Sequence, residues 1–170
     1  MPRLHVCSLA LIDETVARTG ARSLVTLLSP GTPVARPAAI PPERHLYLAV
    51  SDIIAAVPGQ ALPEPAHLDT LLDFLHEWDR AEPLVIHCYA GVSRSTAAAF
   101  IAACALNPAR DEFEIARAIR AASPTATPNA RLVALADDRL EREGRMNDAI
   151  AAIGPGEYCF EGTPFALELA

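Results

Sequence analysis

The sequence predicts an α/β domain built on a central, largely parallel sheet of four to five strands flanked by helices, and three observations carry that expectation. Short apolar runs bounded by turn-forming residues alternate with stretches of helical periodicity, giving β-α-β twice and then three helices. The runs Ser23 to Leu28 and Leu84 to Ile86 are apolar at successive positions, as strands buried on both faces require. The second of these leads directly into a loop and a helix, which places that loop at the C-terminal end of a strand, where α/β sheets bind ligands. At 170 residues, the chain reads as a single domain, 1–170, large enough to bury a substantial core.

Taken in order, Leu4 to Ile12 is mostly apolar and reads as the first strand; Asp13 and Glu14 follow without a small-residue cleavage pattern, so a secretory leader is not expected. Asp13 is placed as the N-cap of a short helix running through Arg18 and ended by Gly20. Ser23 to Leu28 is the second strand. Five prolines and Gly31 make Ser29 to Arg44 a loop, in which Arg36 reads as solvated. His45 to Val50 is the third strand, and Ser51-Asp52 opens an irregular segment through Pro58, Gly59, Pro63 and Pro65. From Ala66 to Arg80, Leu68, Leu71, Leu72, Leu75 and Trp78 recur at helical spacing, so Phe74 and Trp78 read as packing. Leu84 to Ile86 is the fourth strand. Ser95 to Leu106 is helix-compatible throughout and from Ala97 is apolar on every side, as in a helix buried centrally against a sheet, and Cys104 within it reads as packing. Asp111 with Glu114 opens a helix that ends before Pro124. Asn129 caps a last helix running through about Glu143. The tail, 154–170, is apolar and is expected to pack on the domain or on a partner.

The net charge of −7 and a pI near 5.2 argue against an extended polyanion such as nucleic acid as partner. All 14 basic residues are arginine. Cys7, Cys88, Cys104 and Cys159 form no Cys-x-x-Cys pair, so a disulfide framework is not expected and the compartment reads as reducing, that is, cytoplasmic. The uncharged stretch from Ser95 to Ala109 is too short for a membrane span and contains Pro108. No His, Cys, Asp or Glu grouping has ligand spacing, so neither metal nor cofactor is expected.

The chemistry concentrates in His87-Cys88-Tyr89-Ala90-Gly91-Val92-Ser93-Arg94-Ser95. A loop between a strand and a helix N-terminus offers unpaired N–H groups and the positive end of the helix dipole, which suit a phosphate and stabilise a thiolate. Five residues between Cys88 and Arg94 are few enough to curl their amides inward as a nest, with the sulfur beneath and the planar guanidinium alongside. Gly91 permits a backbone conformation that a side chain would obstruct, and Ser95 can donate to the sulfur. The thiolate is the nucleophilic form of cysteine, and such a place favours it.

These residues carry a resemblance. His87-Cys88, five residues, then Arg94-Ser95 resembles the signature of the cysteine-dependent protein tyrosine phosphatases, most nearly their dual-specificity branch, and the likeness to a small single-domain, bacterial-type member extends over roughly residues 4–143. Rhodanese-like sulfurtransferases and arsenate reductases also use cysteine loops, but the former usually lack the His-Cys entry and the latter carry the cysteine near the N terminus. The resemblance implies the phosphotyrosine protein phosphatase II-like fold. It implies Cys88 as nucleophile through a phosphocysteine, and Arg94 with Tyr89, Ala90, Gly91, Val92 and Ser93 as the phosphate seat. It further implies Asp52 as general acid, Ser95 as an aid to the sulfur, and His87 and Asn129 as supports of the loop. The flanks of Asp52 differ from the tryptophan-proline-aspartate loop of receptor-type relatives, which leaves Glu64 and Asp69 as the other carboxylates to consider. The glycine-phenylalanine that often follows the asparagine is absent.

The implied activity is that of a metal-free phosphomonoesterase, a protein tyrosine or dual-specificity phosphatase. Residues 89–93 include no base, whereas relatives of the phosphoinositide and RNA-triphosphate branches tend to place bases there; phosphorylated proteins are therefore expected over phosphoinositides or small phosphate esters. A phosphate-reading module without turnover would have no need of Cys88 and Asp52.

Overall fold

The computed structural model describes residues 2–170. The elements run β1 (Arg3–Cys7), α1 (Ile12–Thr19), β2 (Ser23–Leu28), β3 (His45–Ala49), α2 (Pro65–Glu77), β4 (Leu84–His87), α3 (Arg94–Leu106), α4 (Glu112–Ala122), α5 (Ala130–Arg139), α6 (Arg145–Ile153) and β5 (Phe165–Glu168). They form the expected class: one five-stranded sheet in the order β3-β2-β4-β1-β5, parallel except for β5. Interior strands β2 and β4 are buried at every residue, which explains their unbroken apolar runs.

Strand alternation sorts the core into two layers. Leu4, Val6, Val25, Leu27, Leu84 and Ile86 face the larger cluster beneath the helices α2 to α6, while Cys7, Leu24 and Val85 face Ile12 and Val16 of α1. Helix α3 lies at the centre of the larger layer, and Ala97 to Cys104 are at most 1% exposed. Because β4 sits between β1 and β2, its C-terminal end opens into the crevice where the chain leaves those two strands, and the Cys88 loop occupies it.

Several elements depart from the sequence expectation for identifiable reasons. The first strand ends at Cys7, followed by a 3₁₀ turn at Leu9–Leu11, and Asp13 lies in the first turn of α1 rather than at its cap. Helix α2 stops at Glu77, where Trp78 turns extended, buries its ring and donates its indole N–H to Glu82 O at 3.1 Å. The helix expected through Glu143 ends at Arg139, and a fourth helix, α6, follows that turn. Asp137 is turned inward, and its carboxylate accepts the N–H groups of Gly144 and Met146 at 2.7 Å each. Arg142 is drawn into the core by Glu112 at 2.6 Å and Cys104 O at 2.8 Å. Glu141 and Glu143 accordingly take φ of 54°, in the left-handed region that ends a helix. The tail supplies β5, pairing Phe165 with Val6 and Leu167 with Leu4. Among the described residues no helix is long and apolar enough to cross a membrane.

Candidate active site

The loop from Cys88 to Arg94 is held by its carbonyls. Leu9 N–H donates to Tyr89 O (3.1 Å), Gly162 N–H to Ala90 O (2.8 Å), Thr127 N–H to Val92 O (2.9 Å) and Asn129 N–H to Ser93 O (3.1 Å). A planar trans peptide sets the following N–H antiparallel to its C=O, so the amides of Ala90, Gly91, Ser93 and Arg94 face away from these donors, into the loop. Gly91 is required twice over: its φ is +72°, and a Cβ there would stand 2.9 Å from the backbone of Cys7 and Ser8.

At the floor, Cys88 is 2% exposed. Its Sγ lies 3.1 Å from Ser95 Oγ, within reach of a hydroxyl donor. Arg94 is buried; Nη1 donates to Val50 O (3.0 Å) and Ser29 Oγ (3.4 Å), which locks the guanidinium plane. Its Nε is buried without an acceptor among the described residues. A buried donor of this kind costs about 1–3 kcal/mol unless something accepts from it, and a phosphate oxygen beside the amide ring would do so.

Behind the loop, burial pushes the His87 imidazole down to about 4, against the upward pull of its bond to the Cys88 carbonyl. The ring is therefore neutral at physiological pH, and the chemistry of its partners dictates the tautomer. Cys88 O can only accept, so His87 Nδ1 donates (3.0 Å); Nε2 then accepts from Thr26 Oγ1 (2.7 Å), whose oxygen accepts in turn from His45 Nε2 (2.8 Å). Cys7 and Cys104 are pushed up by burial to about 11 and 12, as neutral thiols in packing roles are.

Asp52 stands above the loop. Ser93 Oγ (2.7 Å) and Asn129 Nδ2 (2.9 Å) both donate to its Oδ1. Among the described residues Oδ2 takes no protein hydrogen bond. The other carboxylates are engaged elsewhere: Asp69 pairs with Arg139 at 2.7 Å, and Glu64 occupies the N-cap of α2. No three His, Cys, Asp or Glu side chains among the described residues converge as a metal-holding set.

No protein-family model and no curated protein matches the sequence. Solved structures do. Human DUSP28 superposes with a TM-score of 0.62 at 20% identity, covering 82% of this chain and 94% of its own. A mouse putative dual specificity phosphatase complexed with zinc tungstate gives 0.62 at 19%, covering 86% of each chain. The PTP-2 phosphatase of Cydia pomonella gives 0.61 at 21%, covering 79% of this chain and 84% of its own. The fold is that of the dual-specificity phosphatases. Within that fold, residues expected from the sequence to act together do converge: Cys88, Arg94, Ser95, the loop 89–93, His87, Asn129 and Asp52 lie at one end of the sheet.

Asn129 caps α5 as expected and adds a contact to Asp52 that the sequence did not indicate. Its backbone touches the phosphate loop, but its side chain goes to Asp52 and Ile53 O (3.3 Å), while Oδ1 caps α5 through Leu132 N–H at 3.0 Å. Three other contributors were not foreseen: Thr26, His45 and Gly162. Each acts across a sequence separation that no local pattern encodes, and Gly162 acts through its backbone alone.

Proposed function

We propose that the protein is a cysteine-dependent phosphomonoesterase acting on phosphorylated protein side chains. Cys88 Sγ, as thiolate, attacks phosphorus; the bond to the leaving oxygen breaks, and Asp52 gives that oxygen its proton. Asp52, now ionised, takes a proton from water as the water oxygen attacks the phosphocysteine, which releases phosphate and restores the thiolate. Arg94 Nε and the inward amides hold the equatorial oxygens in both steps, without reorganising as charge develops. The observation that carries the reading is the buried, acceptor-less Arg94 Nε beside a ring of inward amides over Cys88 Sγ. Support comes from the fold shared with dual-specificity phosphatases, one of them complexed with zinc tungstate, since tungstate is a tetrahedral oxyanion like phosphate.

The test is an initial-rate panel of aryl phosphate and phosphotyrosyl, phosphoseryl and phosphothreonyl peptides in excess chelator, with an acid quench to trap phosphoenzyme. Turnover with label on Cys88 is expected. Cys88→Ser should abolish turnover and trapping yet still bind phosphate, because the loop and Arg94 remain. A wild-type protein that binds phosphate and turns over nothing would be a phosphate reader, and the proposal would fall.

A further inference from the structure

Six large apolar or aromatic side chains are exposed among the described residues, and all but Tyr47 gather around the phosphate loop. Ile54 (65% exposed) and Val57 belong to the acid loop, Tyr89 (66%) to the phosphate loop, and Tyr158 and Phe160 (88%) to the tail. Tyr158 and Phe160 stack edge to face at 5.6 Å. Exposed apolar surface gathered at one site marks a contact surface.

That surface is shaped into two grooves. One, of about 490 Å³, is walled by Ile53, Ile54, Val57 and Pro128 and reaches Ser93 of the phosphate loop. The other, of about 430 Å³, is walled by Leu9, Ala10, Phe160 and Glu161 and reaches Tyr89 and Ala90 of the same loop. Both fall within the roughly 300–1,000 Å³ of ligand clefts. The phosphate loop thus has an apolar groove at each end. The only charged residues lining either are acidic, Asp52 in the first and Glu161 in the second.

The tail wall is built into the fold. Gly162 donates to Ala90 O at 2.8 Å, and Ser8 Oγ donates to Glu161 Oε1. A Cβ at residue 162 would lie 2.8 Å from Gly91 O, so glycine alone permits this approach. Phe160 is therefore carried to the mouth by a segment fastened to the phosphate loop itself.

Resting on the phosphatase reading above, we propose that the substrate is a phosphopeptide segment with apolar side chains on both sides of the phosphorylated residue. One side chain seats in the acid-loop groove and the other against Tyr89 and Phe160, which makes the C-terminal tail a specificity-determining wall. A peptide fits better than a membrane lipid, because a bilayer offers apolar chains on one side of its phosphates only, whereas the grooves lie on two. Glu161 would also repel an anionic lipid surface or an acidic peptide flank.

The experiment compares kcat/KM for phosphotyrosyl peptides with apolar, mixed or acidic neighbours, for a small aryl phosphate, and for anionic phospholipid vesicles. Equilibrium binding of the same peptides to the Cys88→Ser protein runs in parallel. Apolar flanks should exceed acidic flanks by at least about ten-fold, the worth of one seated apolar group. Phe160→Ala and Ile54→Ser should each shrink that preference through KM, with the peptide to aryl phosphate ratio as readout so that any folding defect scales out. Equal rates and affinities across the peptides, or vesicles preferred to every peptide, would overturn the inference. If nothing is turned over but Cys88→Ser protein still favours apolar flanks, the phosphatase reading fails and the groove assignment stands.

Discussion

The phosphate loop and the acid loop share one site and are held in opposite ways. Between Cys88 and Arg94, carbonyls are fastened by four N–H groups from three separate segments, and a Cβ at the turn's glycine would meet the backbone of Cys7 and Ser8. The acid loop is an excursion closed at its base by Ser51 and Ala61, with Ser51 N–H on Ala61 O (2.8 Å) and Ala61 N–H on Ser51 Oγ (3.1 Å). Beyond Ile53 it is exposed through Gln60, and Asp52 and Ile53 O meet the rest of the site through Ser93 and Asn129. An anion seat works best when fixed before charge develops, whereas a proton donor must follow leaving groups of different size. The rigid half should therefore act on every substrate alike, and the loosely held half should discriminate among them.

Asp52→Ala sharpens that contrast most. We expect a loss on the order of 10²–10⁴ in rate with phosphotyrosyl peptide and a distinctly smaller one with activated aryl phosphates, whose leaving groups need no proton. Rates of phosphoenzyme formation across a series of aryl leaving groups check this; equal slowing of all of them would make Asp52 a positioning residue.

Arg94→Lys should behave in the opposite way. A point-charge ammonium cannot replace two donors in one plane, so kcat/KM should fall on the order of 10²–10³ regardless of leaving group, with weaker phosphate binding. A loss that varied with the leaving group would break the comparison.

His87 tests what stands behind the rigid half. The folded protein keeps this ring neutral down to about pH 4, while an unfolded chain protonates it near 6.5. Between those values the unfolded state binds the extra proton, so stability is full above about 6.5 and is lost as pH falls toward about 4, by about 3 kcal/mol. Denaturant titrations of wild type and His87→Asn across that window should show a shallower acid slope in the variant, what remains coming from His5 and His45, which burial also lowers.

The smallest effects concern the tether between the halves. Ser93→Ala and Asn129→Ala should each cost about ten-fold in the same leaving-group-dependent manner, and almost nothing more when added to Asp52→Ala. Asn129→Ala should also lose about 1 kcal/mol of stability, because its side chain caps α5, and Ser93→Ala should not. Additive losses in the double variants would show that neither residue acts through Asp52.

This contrast also marks where the sequence was readable. The Cys88 loop lies on one continuous run, so its path from strand to helix follows from neighbours in the chain, whereas the close approach of Gly91 to Cys7 and Ser8 does not. Strand β2 was bounded correctly, because a strand buried on both faces leaves a continuous apolar run. By contrast, the last helix was expected to run through about Glu143, a span that holds Asp137, Asp138, Arg139, Glu141 and Arg142. Two of them, Asp137 and Arg142, are buried and bonded to distant residues, and that ended α5 and created the turn into α6. Strand β5 was missed because it pairs with β1 across the length of the chain.

By itself, then, the sequence determined the α/β class and the place of the Cys88-to-Arg94 loop between a strand and a helix, since period, spacing and the geometry of a short loop are properties of adjacent residues. Tertiary structure alone decided that the Asp52 carboxylate is tied to Ser93 and Asn129, which histidine and threonine set the tautomer behind Cys88, and that the tail reaches the loop. Those depend on hydrogen bonds between residues as far apart as Ser8 and Glu161. A backbone N–H such as that of Gly162 carries no side-chain signature, so only the folded chain can aim it.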